Sequence, residues 1–219
     1  MSTAIIFVLH VVLKYISVRI FNEQHGSFFE LSARFDVNDE NSVPQWFSSL
    51  LFLSVGIGAL FAAYLQTQKS NRAFWTVTGI IGLLLSLDDA ATLHEYVLQN
   101  IHNVFFLDTA PSFFVNAWLI VLPFVLVLGA ILAWWAWQVL PRRTMILLVI
   151  GGMTYVLGKI LMDSLANTTT DMFIDRGIMQ GLEKIFQYTG ISIVLYGIID
   201  YLEQHHGTAI KRAVKELKH

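Results

Sequence analysis

The sequence contains no cysteine and few charged side chains. Without cysteine the chain forms no disulfide, no thiolate metal site and no c-type haem attachment. Charged residues make up 14 % of the 219, against roughly 25 % in soluble globular domains, so the chain is short of the polar surface that water requires. A net charge of −2 and the lack of a basic stripe before the last few residues argue against a nucleic acid partner.

Apolar segments are abundant instead, since hydrophobic residues make up 55 % of the chain and the mean hydropathy is +0.60. Crossing the hydrocarbon core of a bilayer takes about 20 apolar residues. The candidate spans are residues 4–21, 44–66, 73–97, 113–140, 144–165 and 179–203. The sequence therefore predicts an all-α fold, a polytopic transmembrane helix bundle with about six spans. Residues 1–219 would form a single integral-membrane domain, ending in a basic cytoplasmic tail over residues 204–219.

Basic residues in the short loops predict the orientation. Lys69 and Arg72 follow the second span, Arg142 and Arg143 follow the fourth, and the loop after the third span contains neither Lys nor Arg. By the positive-inside rule both termini lie in the cytoplasm, and the protein is expected in the cell membrane, the inner membrane of a Gram-negative host. Two basic residues toward the outer end of the first segment oppose the rule. The alternative is that this segment lies in the interface and that five segments cross.

Acidic residues concentrate on the predicted outer side, where all but three of the 16 fall. On a helix through the third span, Asp88, Thr92 and Glu95 share one face and Asp89 flanks it. A carboxylate within a span costs about 2.5–3.5 kcal/mol on the insertion scale, which argues against an unpaired, lipid-facing Asp88. The acidic face is therefore expected to lie inside the bundle.

Polar side chains also form stripes on the other predicted helices. Tyr155, Lys159 and Asp163 recur every four residues on the fifth span, and Gln180 and Glu183 open such a stripe on the sixth. Stripes of this kind most economically face one another around a polar cleft open to the outside. The candidate cleft residues are Glu40, Asp88, Asp89, Thr92, Glu95, Lys159, Asp163 and Glu183.

Crowded carboxylates repel one another, so a cleft of this composition needs protons or a bound cation. The candidate ligands of a divalent metal ion are Asp88, Glu95, Asp163 and Glu183. Oxygen ligands suit Ca²⁺, Mg²⁺ or Mn²⁺, and His94 or His102 would add Zn²⁺ or iron. The carboxylates are preferred, because His94 points away from the acidic face. The alternative is a set of structural ion pairs between helices, such as Lys159 with Asp163.

Three stretches of the chain share a pattern with one known family. They run from Phe35-Asp36 to Pro44-Gln45-Trp46-Phe47-Ser48, from Leu85-Ser86-Leu87-Asp88-Asp89 to His94-Glu95, and from Glu183 to Gly190. The chain in this respect resembles a widespread family of uncharacterised prokaryotic multipass membrane proteins. That family has an acidic loop before Trp-Phe-Ser, a Leu-Asp-Glu stretch followed by His-Glu, and a Glu-Glu-x-Leu-Glu stretch ending in Gly. The chain departs from the pattern at Asp89, where Glu is expected, and at Lys184 and Gln187, where acids are expected. The resemblance implies a multipass topology and these site residues, and it does not point to any particular activity.

Two classes of function fit the sequence, which leaves open whether the chain is an enzyme. The first is an outward-facing, carboxylate-rich intramembrane cleft that binds a cation or metal, for transport or for metal-dependent chemistry on a membrane substrate. Transport is the weaker branch, because the sequence shows no internal repeat and only Pro123 interrupts a span. The alternative is a non-catalytic accessory or assembly subunit of a larger membrane complex. The expected partners are membrane lipids and, in the second case, other membrane-protein subunits.

Overall fold

The computed structural model describes residues 42–93, 118–168 and 173–216, together with Val12, Arg34 and Phe35. The described part contains five long helices and no strand, which confirms the predicted all-α class. The helices are α1 (Val43–Leu65), α2 (Lys69–Ala91), α3 (Trp118–Val139), α4 (Arg142–Thr168) and α5 (Phe173–Glu216).

Four helical segments in the described part are long and apolar enough to cross a membrane. They are Val43–Leu65, Lys69–Ala91, Leu122–Val139 and Gly181–Gly207. These segments correspond to the predicted second, third, fourth and sixth spans. The described part thus contains four of the roughly six predicted spans, and the total number stays a prediction. The first predicted span, residues 4–21, lies outside the described residues except for Val12, and α4, which contains the fifth, is not one of the four.

Helix α2 ends earlier than the sequence predicts. Its last residue is Ala91, and Thr92 adopts the left-handed conformation, with φ 49° and ψ 34°. This conformation is uncommon for a residue other than glycine and stops the regular helical path. The structure thus places a break at Thr92 within the predicted third span, 73–97, so Thr92 does not continue the helical face of Asp88; residues 94–97 of that span lie outside the described residues.

The helices pack as two close pairs, α1 with α2 and α4 with α5, and α1 also packs on α5. Glycine lies at both crossings. A Cβ atom on Gly82 of α2 would lie 2.8 Å from the backbone nitrogen of Gly56 on α1. A Cβ atom on Gly190 of α5 would lie 2.6 Å from the carbonyl oxygen of Gly151 on α4. Only hydrogen side chains allow these backbones to approach so closely.

The ends of the helices form two chemically different ends of the bundle. The start of α1, the end of α2 and residues 183–188 of α5 lie at one end, which contains Asp88, Asp89 and Glu183. The other end contains the starts of α2 and α4, where four basic residues lie. Between the ends the buried side chains of α1 are mostly apolar, among them Phe52, Val55 and Ala59.

Candidate functional site

The carboxylate of Asp89 is bound by two side chains of α1. Gln45 Nε2 donates to Asp89 Oδ1 at 2.8 Å, and Ser49 Oγ donates to Asp89 Oδ2 at 3.0 Å. Gln45 Nε2 also lies 2.8 Å from the backbone carbonyl oxygen of Asp89, close to the end of α2, where carbonyl groups lose their partners within the helix. Gln45 and Ser49 are four residues apart and so share a face of α1. These bonds hold the end of α2 against the start of α1.

Lys184 extends this network to a third helix. Its Nζ donates to Gln45 Oε1 at 3.2 Å, so the Gln45 amide lies between the ammonium of Lys184 and the carboxylate of Asp89. An amide offers donors on nitrogen and an acceptor on oxygen, and this orientation satisfies both neighbours at once. Helices α1, α2 and α5 are therefore joined by one polar network.

The adjacent turn of α5 adds two buried polar contacts. Gln187 Nε2 donates to Glu183 Oε1 at 2.8 Å, and both residues are buried. The hydroxyl of Tyr188, which is 1 % exposed, donates to the carbonyl oxygen of Pro44 at 2.8 Å. The Tyr188 ring meets Phe47 edge-on, with ring centroids 5.3 Å apart. Buried polar groups require such partners, so this turn of α5 is fixed on α1.

Helix α4 contributes Tyr155 to the same end of the bundle. Gly158, three residues after Tyr155 in α4, lies against α5 here, because a Cβ atom on it would lie 3.3 Å from the backbone carbonyl oxygen of Glu183. The Tyr155 ring packs edge-on against Phe52 of α1, with centroids 5.6 Å apart. Four helices thus converge here. We call the group of Asp88, Asp89, Glu183, Gln45, Ser49, Lys184 and Tyr155 the carboxylate site.

The structure brings together three of the residues predicted from the sequence, Asp88, Asp89 and Glu183. The other predictions stay predictions, because Glu40, Glu95, His94 and His102 lie outside the described residues. Lys159 and Asp163 belong to α4, but their side chains lie outside the described part.

Sequence reasoning missed how Asp89 is held by Gln45 and Ser49. Their four-residue spacing at the start of α1 was an available signal, since it places both side chains on one helical face. Nothing in the sequence paired that face with Asp89, because the pairing depends on how α1 and α2 cross.

Among the described residues of the carboxylate site, acidic side chains outnumber basic ones. Asp88, Asp89 and Glu183 are acidic and Lys184, bonded to Gln45, is basic, while the C-terminal end of α2 adds the negative end of its dipole. Such a surrounding favours a cation. It is not a complete metal-ligand set: no group of three or more His, Cys, Asp or Glu side chains that could hold a metal ion occurs among the described residues.

The fold and site define an all-α protein with several helices long enough to cross a membrane and a polar network at one end of the bundle. A family model described as a domain of unknown function, DUF8692, matches residues 3–199, and the chain belongs to this family. The membership agrees with the resemblance to an uncharacterised family. No curated protein and no solved structure matches the chain.

Proposed function

We propose that the protein is an integral membrane protein that binds a cation at the carboxylate site. The observation that supports this best is the polar network that joins the Asp89 carboxylate to Gln45, Ser49 and Lys184, beside the C-terminal end of α2. The bonds from Gln45 and Ser49 fix the Asp89 carboxylate but leave room on its oxygens, because an ionised carboxylate has about four acceptor positions.

In this proposal the site faces the outside of the cell membrane. The four basic residues of the described loops and helix starts lie at the other end of the bundle, which the positive-inside rule places in the cytoplasm. Trp46, next to Gln45 in the chain, is 70 % exposed, as suits an aromatic residue at the lipid headgroups. Ser49 lies three residues further along α1, roughly 4.5 Å deeper. The carboxylate site is then just below headgroup level.

The depth of the site favours chemistry on a membrane substrate over passage through the bundle. Toward the other end, the buried side chains of α1 become apolar, as Phe52, Val55 and Ala59 show. The polar network of the described residues therefore does not continue along α1. A cation held near headgroup level would be within reach of a lipid, and a divalent metal ion there would need further ligands, for which Glu95 and Asp163 remain the predictions.

Cation binding by the purified full-length protein tests the proposal. Titration calorimetry with Ca²⁺, Mg²⁺ and Mn²⁺, beside elemental analysis, would compare the wild type with Asp89→Asn and Glu183→Gln. We expect each variant to weaken binding by about tenfold or more, equivalent to about 1.4 kcal/mol. Ser54→Ala is the matched control, since Ser54 is exposed and bonds only the carbonyl of Leu50 in its own helix, at 2.8 Å. Binding that is absent from the wild type, or unchanged in folded Asp89 and Glu183 variants, would exclude this function.

The second candidate, an accessory subunit of a larger membrane complex, is favoured by a different observation. Residues 123–131 of α3 are all exposed in the described part, although the segment is apolar on every side. Helices of this kind lie in lipid or against another protein. Gly129→Leu tests the second possibility, because a Cβ atom at Gly129 has nothing within 4 Å. If a subunit packs there, the wild type co-purifies with an equimolar partner protein. The Gly129→Leu variant then keeps its fold but loses this partner.

A further inference from the structure

The basic end of the bundle brings the starts of α2 and α4 to one level. Phe74 of α2 packs edge-on against Trp135 of α3, with ring centroids 5.5 Å apart. Lys69 precedes Phe74 by roughly 7 Å of helix, and α3 continues from Trp135 for roughly 6 Å before the turn into α4. Lys69 and Arg142, the first residues of α2 and α4, therefore both lie beyond this contact, at the same end of the bundle.

Two of the four basic side chains at this end are used within the protein. Arg72 donates from Nε and Nη2 to the backbone carbonyl of Gln66, at 3.1 and 2.6 Å, and so fixes the turn between α1 and α2. Arg143 Nη2 lies 2.9 Å from Oδ1 of Asp200, a side chain of α5 that is only 10 % exposed. Both guanidinium groups thus have structural partners.

Lys69 and Arg142 differ from this pair. Both are exposed, and neither makes an ion pair or hydrogen bond with another described side chain. At the same end of the bundle, Trp134 and Trp137 near the end of α3 are each 68 % exposed, and Tyr64 in the last turn of α1 is 80 % exposed. Exposed tryptophan and tyrosine next to basic side chains are typical of the headgroup layer of a membrane.

We propose that Lys69 and Arg142 bind the headgroups of anionic phospholipids, whereas Arg72 and Arg143 serve the fold. The charge of the two exposed side chains complements a phosphodiester, and the exposed tryptophans fit the glycerol and carbonyl layer below it. The inference depends on the membrane insertion proposed above and is independent of the carboxylate site.

The test measures phospholipid binding to the full-length protein in detergent by native mass spectrometry. The wild type should retain phosphatidylglycerol in preference to phosphatidylcholine. The double variant Lys69→Gln/Arg142→Gln should lose phosphatidylglycerol affinity by roughly tenfold or more. The matched control is Arg72→Gln/Arg143→Gln, which removes the same charge from the same end. This control variant should unfold at a lower temperature than the wild type. Its loss of phosphatidylglycerol affinity should be several-fold smaller than that of the Lys69→Gln/Arg142→Gln variant.

Three results would overturn the inference: equal loss of lipid affinity in both double variants, no preference for phosphatidylglycerol, or release of the lipid by millimolar free phosphate. The last would indicate a site for soluble anions. Far-ultraviolet circular dichroism checks that each variant is folded. If a double variant does not fold, its two single variants are measured in its place. Membrane insertion is tested separately by washing the membranes with alkaline carbonate. Release of the protein by this wash would show that it is not inserted.

Discussion

The crossing of α4 and α5 gives the sharpest test of the fold, because two neighbouring glycines differ in their surroundings. A Cβ atom on Gly151 would lie 2.7 Å from both the carbonyl oxygen of Gly190 and Cγ2 of Val194. A Cβ atom on Gly152 would have nothing within 4 Å. Replacing either glycine by alanine adds the same methyl group and the same gain in helix propensity. The difference between the two variants therefore isolates the contact across the helices.

The expected size of this difference follows from the distances. Ordinary van der Waals contact begins at 3.4 Å, so Gly151→Ala requires α4 and α5 to separate by 3.4 − 2.7 = 0.7 Å at the crossing. Overpacking of this kind costs about 1–3 kcal/mol. Thermal unfolding of the detergent-solubilised protein should thus place the Tm of Gly151→Ala several degrees below that of Gly152→Ala. Equal midpoints, or a more stable Gly151→Ala, would refute this crossing.

Two further predictions concern the contacts of α1, each with a control. Tyr188→Phe removes a buried hydrogen bond to α1 and should lower the free energy of unfolding by about 1 kcal/mol. Tyr196→Phe, at a residue that is 52 % exposed, should leave the free energy of unfolding nearly unchanged. Equal effects of the two substitutions in urea titrations would contradict this assignment. Ser49→Ala removes a donor to the Asp89 carboxylate and should destabilise by about 1–2 kcal/mol. Ser54→Ala should be close to neutral by the same assay, and a neutral Ser49→Ala would show that Asp89 does not depend on this bond.

The existence of the helices could be predicted from the sequence, but not every boundary. Long apolar segments separated by short polar ones are enough to predict α1 and α3, since segments of that length and composition have few alternatives. The end of α2 could not be predicted in this way. A β-branched threonine is an unusual residue at positive φ, so nothing in the sequence marked Thr92 as the point where the helix stops.

The candidate site was predicted in part, and the missing part is tertiary. Asp88, Asp89 and Glu183 stand out because carboxylates within apolar segments are costly and need a reason. In the sequence Lys184 shows only as a departure from a family pattern, although its ammonium bonds the amide that holds Asp89. Such a link joins three helices, and local sequence patterns do not encode which faces of three helices meet.

Helix α5 has a mechanical property that its length and its crossing with α4 define together. It is a single helix of 44 residues, or roughly 66 Å, about twice the hydrocarbon thickness of a bilayer. Its glycine crossing with α4, at Gly190, divides it into unequal arms: Lys184 lies roughly 9 Å to one side and Asp200 roughly 15 Å to the other. Helix α4 braces both arms: a Cβ atom on Gly158 would lie 2.5 Å from Cβ of Phe186, and one on Gly197 would lie 3.1 Å from Cβ of Leu147. Lys184 and Asp200, with its ion pair to Arg143, are therefore held at a fixed spacing of roughly 24 Å along one braced rod.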